Sequence, residues 1–372
     1  MLLLLLGAFT ALAAEVQPGR IIDDVKCAAD PSQSYALYLP AGYSAERSWA
    51  LILAFDARAR GRTPVALYQE AAERYGYIVA GSNNSQNGPW EVSLAAAKAM
   101  AADVLAHFSI DAKRVYTAGM SGGARVALNI ALGSGGTAGV IASSGGFPDR
   151  QPRKSVPFAV FSTAGTDDFN YSEMRRLDRT LTSPHRLAVF EGGHAWPPGA
   201  VAVEAVEWME IQAMKSALTA RDQALIDRIY ARRTAALAAA KSDQDAFVAL
   251  EALVEDFTGL RDVAGFTARA AALGRDKRVR EALKQERAEE DREQRQWSEI
   301  LVLENQLESP EQRMDALTEL SDRWKRLAAA ASASVDSSDR RVARRVFRGL
   351  LARPDRIKDP AYLKLVEPYR RQ

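Results

Sequence analysis

Between residues 34 and 191 the chain alternates two hydrophobic rhythms. The runs 34–39, 50–55, 77–82, 115–118, 140–143, 158–162 and 187–191 are short, and several are continuously apolar. Strands buried on both faces of a parallel sheet have that pattern. Between them, residues 64–75, 94–108 and 122–132 read as helical, and 200–218 close the series. Such alternation predicts a doubly wound, mostly parallel α/β domain over residues 15–219.

From about residue 220 the rhythm changes. Strand runs and most glycines disappear, and alanine, leucine, arginine and glutamate dominate. Phe247, Leu250, Leu253, Phe257 and Leu260 make one apolar stripe at helical spacing. Met314, Leu317, Leu320, Trp324 and Leu327 repeat it, with Ser242 and Ser309 at matching offsets as candidate N-caps. The pattern predicts an all-α, helical-repeat-like domain over 220–372, although the tetratricopeptide signature is absent. The mixed charges of 281–296 predict a solvated helix face, and 329–339 a loop. A helical half of this kind is expected to bind a protein, to dimerise, or to cover one side of a cleft.

Bulk properties narrow the chemistry. The 372 residues suffice for two domains, and a net charge of +2 creates no field that would gather nucleic acid. Neither a phosphate-cradling loop nor a base-stacking pattern is found, so no nucleic-acid partner is expected. Gly133–Ala138 fits Gly-x-Gly-x-x-Ala but follows a helix and precedes a strand, the reverse of a phosphate site. The single cysteine, Cys27, excludes an intrachain disulfide framework and a cysteine zinc site. Three histidines, His107, His185 and His194, make a metal centre a poor reading, and no cofactor is expected. The opening MLLLLLGAFTALAAEVQ has an apolar run too short to span a bilayer, then Ala11-Leu12-Ala13 as a small-residue cleavage site. Residues 1–14 therefore read as a signal peptide, despite lacking a preceding Lys or Arg, and imply a periplasmic or secreted protein. Membrane association is expected only if that segment stays uncleaved.

The most informative phrase is Gly119-Met120-Ser121-Gly122-Gly123, set between a predicted strand and a predicted helix. A serine hydroxyl needs a base, a group orienting that base, and donors for an oxyanion. A sharp strand-to-helix turn lifts the serine clear of the sheet, and flanking glycines avoid clashes in it. Gly122 would present its N–H from a helix N-terminus, and its missing side chain would let Ala124 and the helix pack close. The partners should follow in the order serine, acid, histidine. Asp167 and Asp168 both lie after the 158–162 run, and Asn170-x-x-Glu173 reads as a capping box for the next helix. His107 precedes Ser121, and His185 falls at the wrong end of its strand. His194, behind Gly192-Gly193, is at the carboxyl end where open α/β sheets place their sites.

Gly119–Gly123, Gly165-Thr-Asp-Asp168 and Gly193-His194-Ala-Trp196-Pro197 together resemble the α/β-hydrolase superfamily. Closest are small lidless secreted serine esterases of the polyhydroxybutyrate depolymerase, feruloyl esterase and dienelactone hydrolase type. The resemblance covers about residues 30–215. It implies Ser121 as nucleophile, His194 as base, and Asp168 rather than Asp167 as the acid. One departure stands out. Where these hydrolases have His-Gly after the third strand, this chain has Phe55-Asp56-Ala57-Arg58. The N–H groups of Gly122 and Ala57 are the candidate oxyanion donors. Asn83, Asn84, Trp90 and Met120 are candidates for substrate contact, and Arg58, Arg60 and Arg62 read as a solvated basic loop.

The expectation is an exported serine hydrolase acting on a small or polymeric carboxylic ester. The rivals are a serine peptidase similar to prolyl oligopeptidase, which usually carries a propeller this chain has no room for, and a non-catalytic binding or scaffold protein on the same fold.

Overall fold

The computed structural model describes residues 17–353 and 357–370. The expected signal peptide, residues 1–14, lies outside them. Eight strands form one sheet: β1 (Ile21–Cys27), β2 (Asp30–Tyr38), β3 (Trp49–Phe55), β4 (Tyr77–Ser82), β5 (Ile110–Met120), β6 (Gly139–Ser143), β7 (Ala159–Gly165) and β8 (His185–Phe190). Their spatial order is β1-β2-β4-β3-β5-β6-β7-β8. β2 runs antiparallel to both its neighbours, and every pairing from β4 through β8 is parallel.

The doubly wound arrangement follows from strands that are apolar on both faces. In β3, Leu51, Leu53 and Phe55 enter one core, under α2 (Trp90–His107) and α3 (Gly122–Ser134). Ala50, Ile52 and Ala54 enter the other, under α1 (Arg62–Tyr75) and α5 (Gly199–Lys215). Fully burying each Leu, Ile or Phe contributes roughly 1.5–3 kcal/mol, so neither face can be shed. The remaining helix of this half, α4 (Tyr171–Thr180), follows β7 and adds Leu177 to the first core.

The expected strands are present, and one more was not anticipated. β1 pairs only with β2 and buries only Val25 and Cys27. An edge strand reading IIDDVKC carries no continuous apolar run, so periodicity misses it. β5 is also longer than expected, reaching back to Ile110 through polar residues.

The second half is helical, as the sequence predicts: α6 (Gln223–Leu237), α7 (Asp243–Phe257), α8 (Ala264–Arg275), α9 (Lys277–Gln306), α10 (Arg313–Ala331), α11 (Ser338–Leu351) and α12 (Pro360–Arg370). Ile211 and Met214 of α5 share a core with Leu225, Ile229, Leu253 and Phe257, so packing continues across residue 219. A separate core joins Ile300 of α9, Leu320 and Trp324 of α10, Val346 of α11 and Val366 of α12.

Three expectations fail here. Ser242 caps α7, accepting from Asp245 N–H at 3.0 Å, but Ser309 does not cap α10, whose N-cap is Gln312. Ser309 instead uses its carbonyl to accept from Arg313 N–H. Met314 leaves its stripe and is 64% exposed. The stretch 281–296 is not a solvated face throughout. On α9, Glu290 and Glu293 are buried; Glu290 pairs with Arg175 and Arg179 of α4, and Glu293 with Arg345 of α11. Burial raises the Glu293 carboxyl above its usual value, against the pull of Arg345. The Glu290 pairs seat the helical half on the sheet domain, while Glu293–Arg345 ties α9 to α11 within the helical half.

Candidate active site

β5 delivers the chain to Met120, and α3 takes it away from Gly122. Ser121 alone makes the turn, at φ 58° and ψ −119°. A non-glycine residue held at positive φ stores backbone strain, about 1–3 kcal/mol, that its surroundings must offset. Two glycines make the turn possible. A Cβ on Gly119 would lie 2.1 Å from the Gly123 carbonyl oxygen, and one on Gly123 would lie 2.0 Å from that of Phe55. The end of β3 therefore abuts the turn directly.

Behind Ser121, two loops converge. His194 Nε2 is 2.8 Å from Ser121 Oγ, and His194 Nδ1 is 2.8 Å from Asp168 Oδ1. The Asp168 carboxylate is fully buried and also accepts from Asn170 N–H at 2.8 Å. An ionised Asp168 requires the proton on Nδ1, which leaves Nε2 to accept from the serine hydroxyl. The Phe169 ring stacks on the imidazole with centroids 3.9 Å apart. Ser121, Asp168 and His194, chosen from the sequence, thus come together. Asp167 does not join them; it faces Arg344 at 3.1 Å and Arg348 at 3.5 Å, both on α11. His107 and His185 bond locally to the carbonyls of Asp103 and Ser183.

The capping box at Asn170 is not formed. Asn170 donates its side-chain amide to the Ser144 carbonyl at 2.7 Å. Glu173 instead takes both ends of the Arg125 guanidinium at 2.8 Å each. Asn170 thereby ties the acid loop to the strand next to the serine turn.

In front of Ser121 lies the loop after β3. Among the described residues, neither the Gly122 N–H nor the Ala57 N–H meets an acceptor. Gly122 also opens α3, where the helix dipole favours negative charge. Asp56, standing where His-Gly was expected, is completely buried. It accepts from Arg58 N–H and Arg60 Nε at 2.9 Å, from Arg60 again at 3.0 Å, and from Trp196 Nε1 at 2.7 Å. Burial alone would raise this carboxyl; the Arg60, Trp196 and Arg58 donors hold it below its usual value. Asp56 thus joins the front loop to the histidine loop. Arg60 and Arg62 are ion-paired, to Asp56 and Asp23, rather than simply solvated.

The substrate-contact candidates divide. Met120 ends β5 and is buried, and Trp90 opens α2, 40% exposed. Asn83 and Asn84 do not serve a cleft. Asn84 accepts from Ser34 N–H at 2.8 Å and Asn83 donates to the Asp23 carbonyl at 2.9 Å, so both brace β1 and β2. The asparagine that reaches the turn is Asn87, whose side-chain oxygen would be 1.8 Å from a Cβ on Gly122. Gly122 therefore makes room for Asn87, not for closer packing by Ala124. Nothing in SNNSQNGPW distinguishes Asn87 from its neighbours; only the course of the loop does.

No family model matches the chain, and no curated protein matches it. Solved structures do. A truncated carbohydrate esterase from gut microbiota is 13% identical with a TM-score of 0.43, covering 54% of this chain and 98% of its own. Esterase 2 of Thermogutta terrifontis, phosphorylated by paraoxon, is 13% identical with a TM-score of 0.42, covering 56% and 98%. A ferulic acid esterase is 15% identical with a TM-score of 0.40, covering 51% and 97%. The fold is legible in the chain itself: eight strands ordered β1-β2-β4-β3-β5-β6-β7-β8, only β2 reversed and a serine turn after β5, are the α/β-hydrolase fold.

Proposed function

We propose that this chain is a serine hydrolase that cleaves carboxylic esters through an acyl-enzyme. One observation carries the reading: the unbroken series Asp168–His194–Ser121, 2.8 Å at each link, beside two N–H groups without acceptors. Ser121 Oγ attacks the ester carbonyl as His194 Nε2 takes its proton. The N–H groups of Gly122 and Ala57 receive the oxyanion. The imidazolium returns the proton to the leaving alcohol, and the acyl group stays on Ser121. Water, deprotonated by His194, then attacks the acyl carbon; the bond to Ser121 Oγ breaks, the imidazolium returns its proton to that oxygen, and the acid departs. Asp168 remains ionised throughout, holding the tautomer and stabilising the imidazolium. Met120 and Trp90 offer apolar contact to the ester, with Asn87 at the turn.

A fluorophosphonate probe and p-nitrophenyl acetate test this. The expected result is labelling at Ser121 and turnover, both abolished in a folded Ser121→Ala variant, with kcat reduced by roughly 10⁵–10⁶ on the precedent of such triads. Absence of labelling in the wild type would favour a scaffold, and cleavage of peptides but not esters would favour a peptidase. The reading extends to export, supported by the 1–14 segment; fractionation of the native host, with N-terminal sequencing, checks both cleavage and location.

A further inference from the structure

The residues after β7, Thr166-Asp167-Asp168-Phe169, are held from the helical half. Arg345, 2% exposed, donates to the Thr166 carbonyl at 3.1 Å, while Glu293 fixes its Nε at 2.6 Å. Arg344 reaches Asp167 at 3.1 Å and is itself anchored by donating to the Ala331 carbonyl at 2.9 Å. Arg348 approaches the same carboxylate, and a Cβ on Gly193 would lie 2.9 Å from its guanidinium. A Cβ on Gly349 would lie 3.0 Å from the Phe169 Cβ and 2.4 Å from the Trp297 ring, so α11 packs against the residue stacked on His194.

Every one of these contacts falls within two residues of a member of the acid–histidine pair. Asp167 and Phe169 flank Asp168, and Gly193 precedes His194. We infer that α11 is a working part of the active site: Arg344 and Arg348 are positioning residues that hold the Asp168 and His194 loops in reacting register. Geometry explains why this matters. The pair must meet at 2.8 Å while Ser121 is fixed separately in the turn after β5, and a misplacement of about 1 Å costs on the order of a hundredfold in rate. Backbone bonds tie the two loops to each other, Asp167 N–H to the Gly192 carbonyl at 2.8 Å and Thr166 N–H to the Phe190 carbonyl at 2.9 Å, and the α11 arginines hold that joined pair from outside. Arg345 serves the same loop, but its removal would strand buried Glu293 and confound folding with function.

The inference rests on the hydrolase reading, and its test separates the two. Full-length protein is assayed for p-nitrophenyl acetate kinetics, fluorophosphonate labelling, and the low-field proton resonance of the His194–Asp168 hydrogen bond. The double variant Arg344→Ala/Arg348→Ala should lose about ten- to a hundredfold in kcat with KM nearly unchanged, and the low-field resonance should broaden or vanish. Arg344→Lys/Arg348→Lys should recover much of both. Arg313→Ala, which breaks the Arg313–Asp359 pair far along the same half, should leave all three readouts at wild-type values. If the double alanine variant fails to fold, Asp167→Asn reads the same contact from the loop side. Variants that fold, keep wild-type kcat and keep the resonance overturn the inference alone. A wild type that neither labels nor turns over overturns the hydrolase reading, and the inference with it.

Discussion

The two sides of Ser121 are built by different means. In front, the loop after β3 is secured within the sheet domain: Asp56 gathers Arg58, Arg60 and Trp196 around one buried carboxylate. Behind, the acid and histidine loops lean on α11, whose arginines come from a different half of the chain. Moreover, the front uses one charge with many donors, whereas the rear uses several ion pairs. The first arrangement is local and self-satisfied. The second couples these loops to the docking of a helical body through Glu290 with its arginines and through Arg345, which Glu293 holds against the Thr166 carbonyl.

Substitutions can break that contrast. The largest effect is expected at its centre, where Asp168→Asn should lower kcat by about 10⁴ through the wrong imidazole tautomer. By contrast, Asp167→Asn, one residue away, should cost no more than the ten- to hundredfold of a misplaced loop. On the front side, Asp56→Asn should lower kcat by about a hundredfold, the scale of a disturbed oxyanion donor.

Asp56→Asn also has a pH signature. The folded-state pKa of Asp56 is lowered, so its stabilisation is whole above the unfolded aspartate value of about 3.9 and is lost as pH falls toward the folded value. Denaturant unfolding should therefore show a wild-type-to-variant gap that is steady at neutral pH and closes in acid. A gap unchanged in acid would mean that the carboxylate charge is not what holds the loop.

Trp196→Phe removes one donor to that charge. It should cost about 1.5–3 kcal/mol of stability, with kcat falling less than in Asp56→Asn. The smallest effect is expected at Asn83→Ala, which should cost about 1 kcal/mol by loosening the β1 edge and leave kcat alone. A kcat change there would return Asn83 to the cleft.

What could be read in advance follows the same division. Ser121, His194 and an acid at 167 or 168 were legible because strand-end chemistry is local: a glycine-flanked turn, an acid after a later strand, a histidine behind glycines; the choice of Asp168 over Asp167 rested on the family resemblance alone. The both-face apolar runs gave away the sheet for the same reason. β1 stayed hidden because an edge strand buries too little to carry a pattern. Glu290 and Glu293 were misjudged because mixed charge in a helix says nothing about partners more than fifty residues away. A faint signal did exist on α11. Arg345 sits three residues after Val342 and four before Gly349, on the buried stripe of that helix. A cation at such a position needs a buried partner.

The register of Thr166–Phe169 against α11 also sets a time. The turn at Ser121 and the loops bearing Asp168 and His194 leave the ribosome well before residue 348 does. At about 5–20 residues per second, α11 emerges roughly ten to fifty seconds after the serine turn. A nascent chain therefore carries Ser121, Asp168 and His194 before it carries the α11 arginines that contact the loops of two of them.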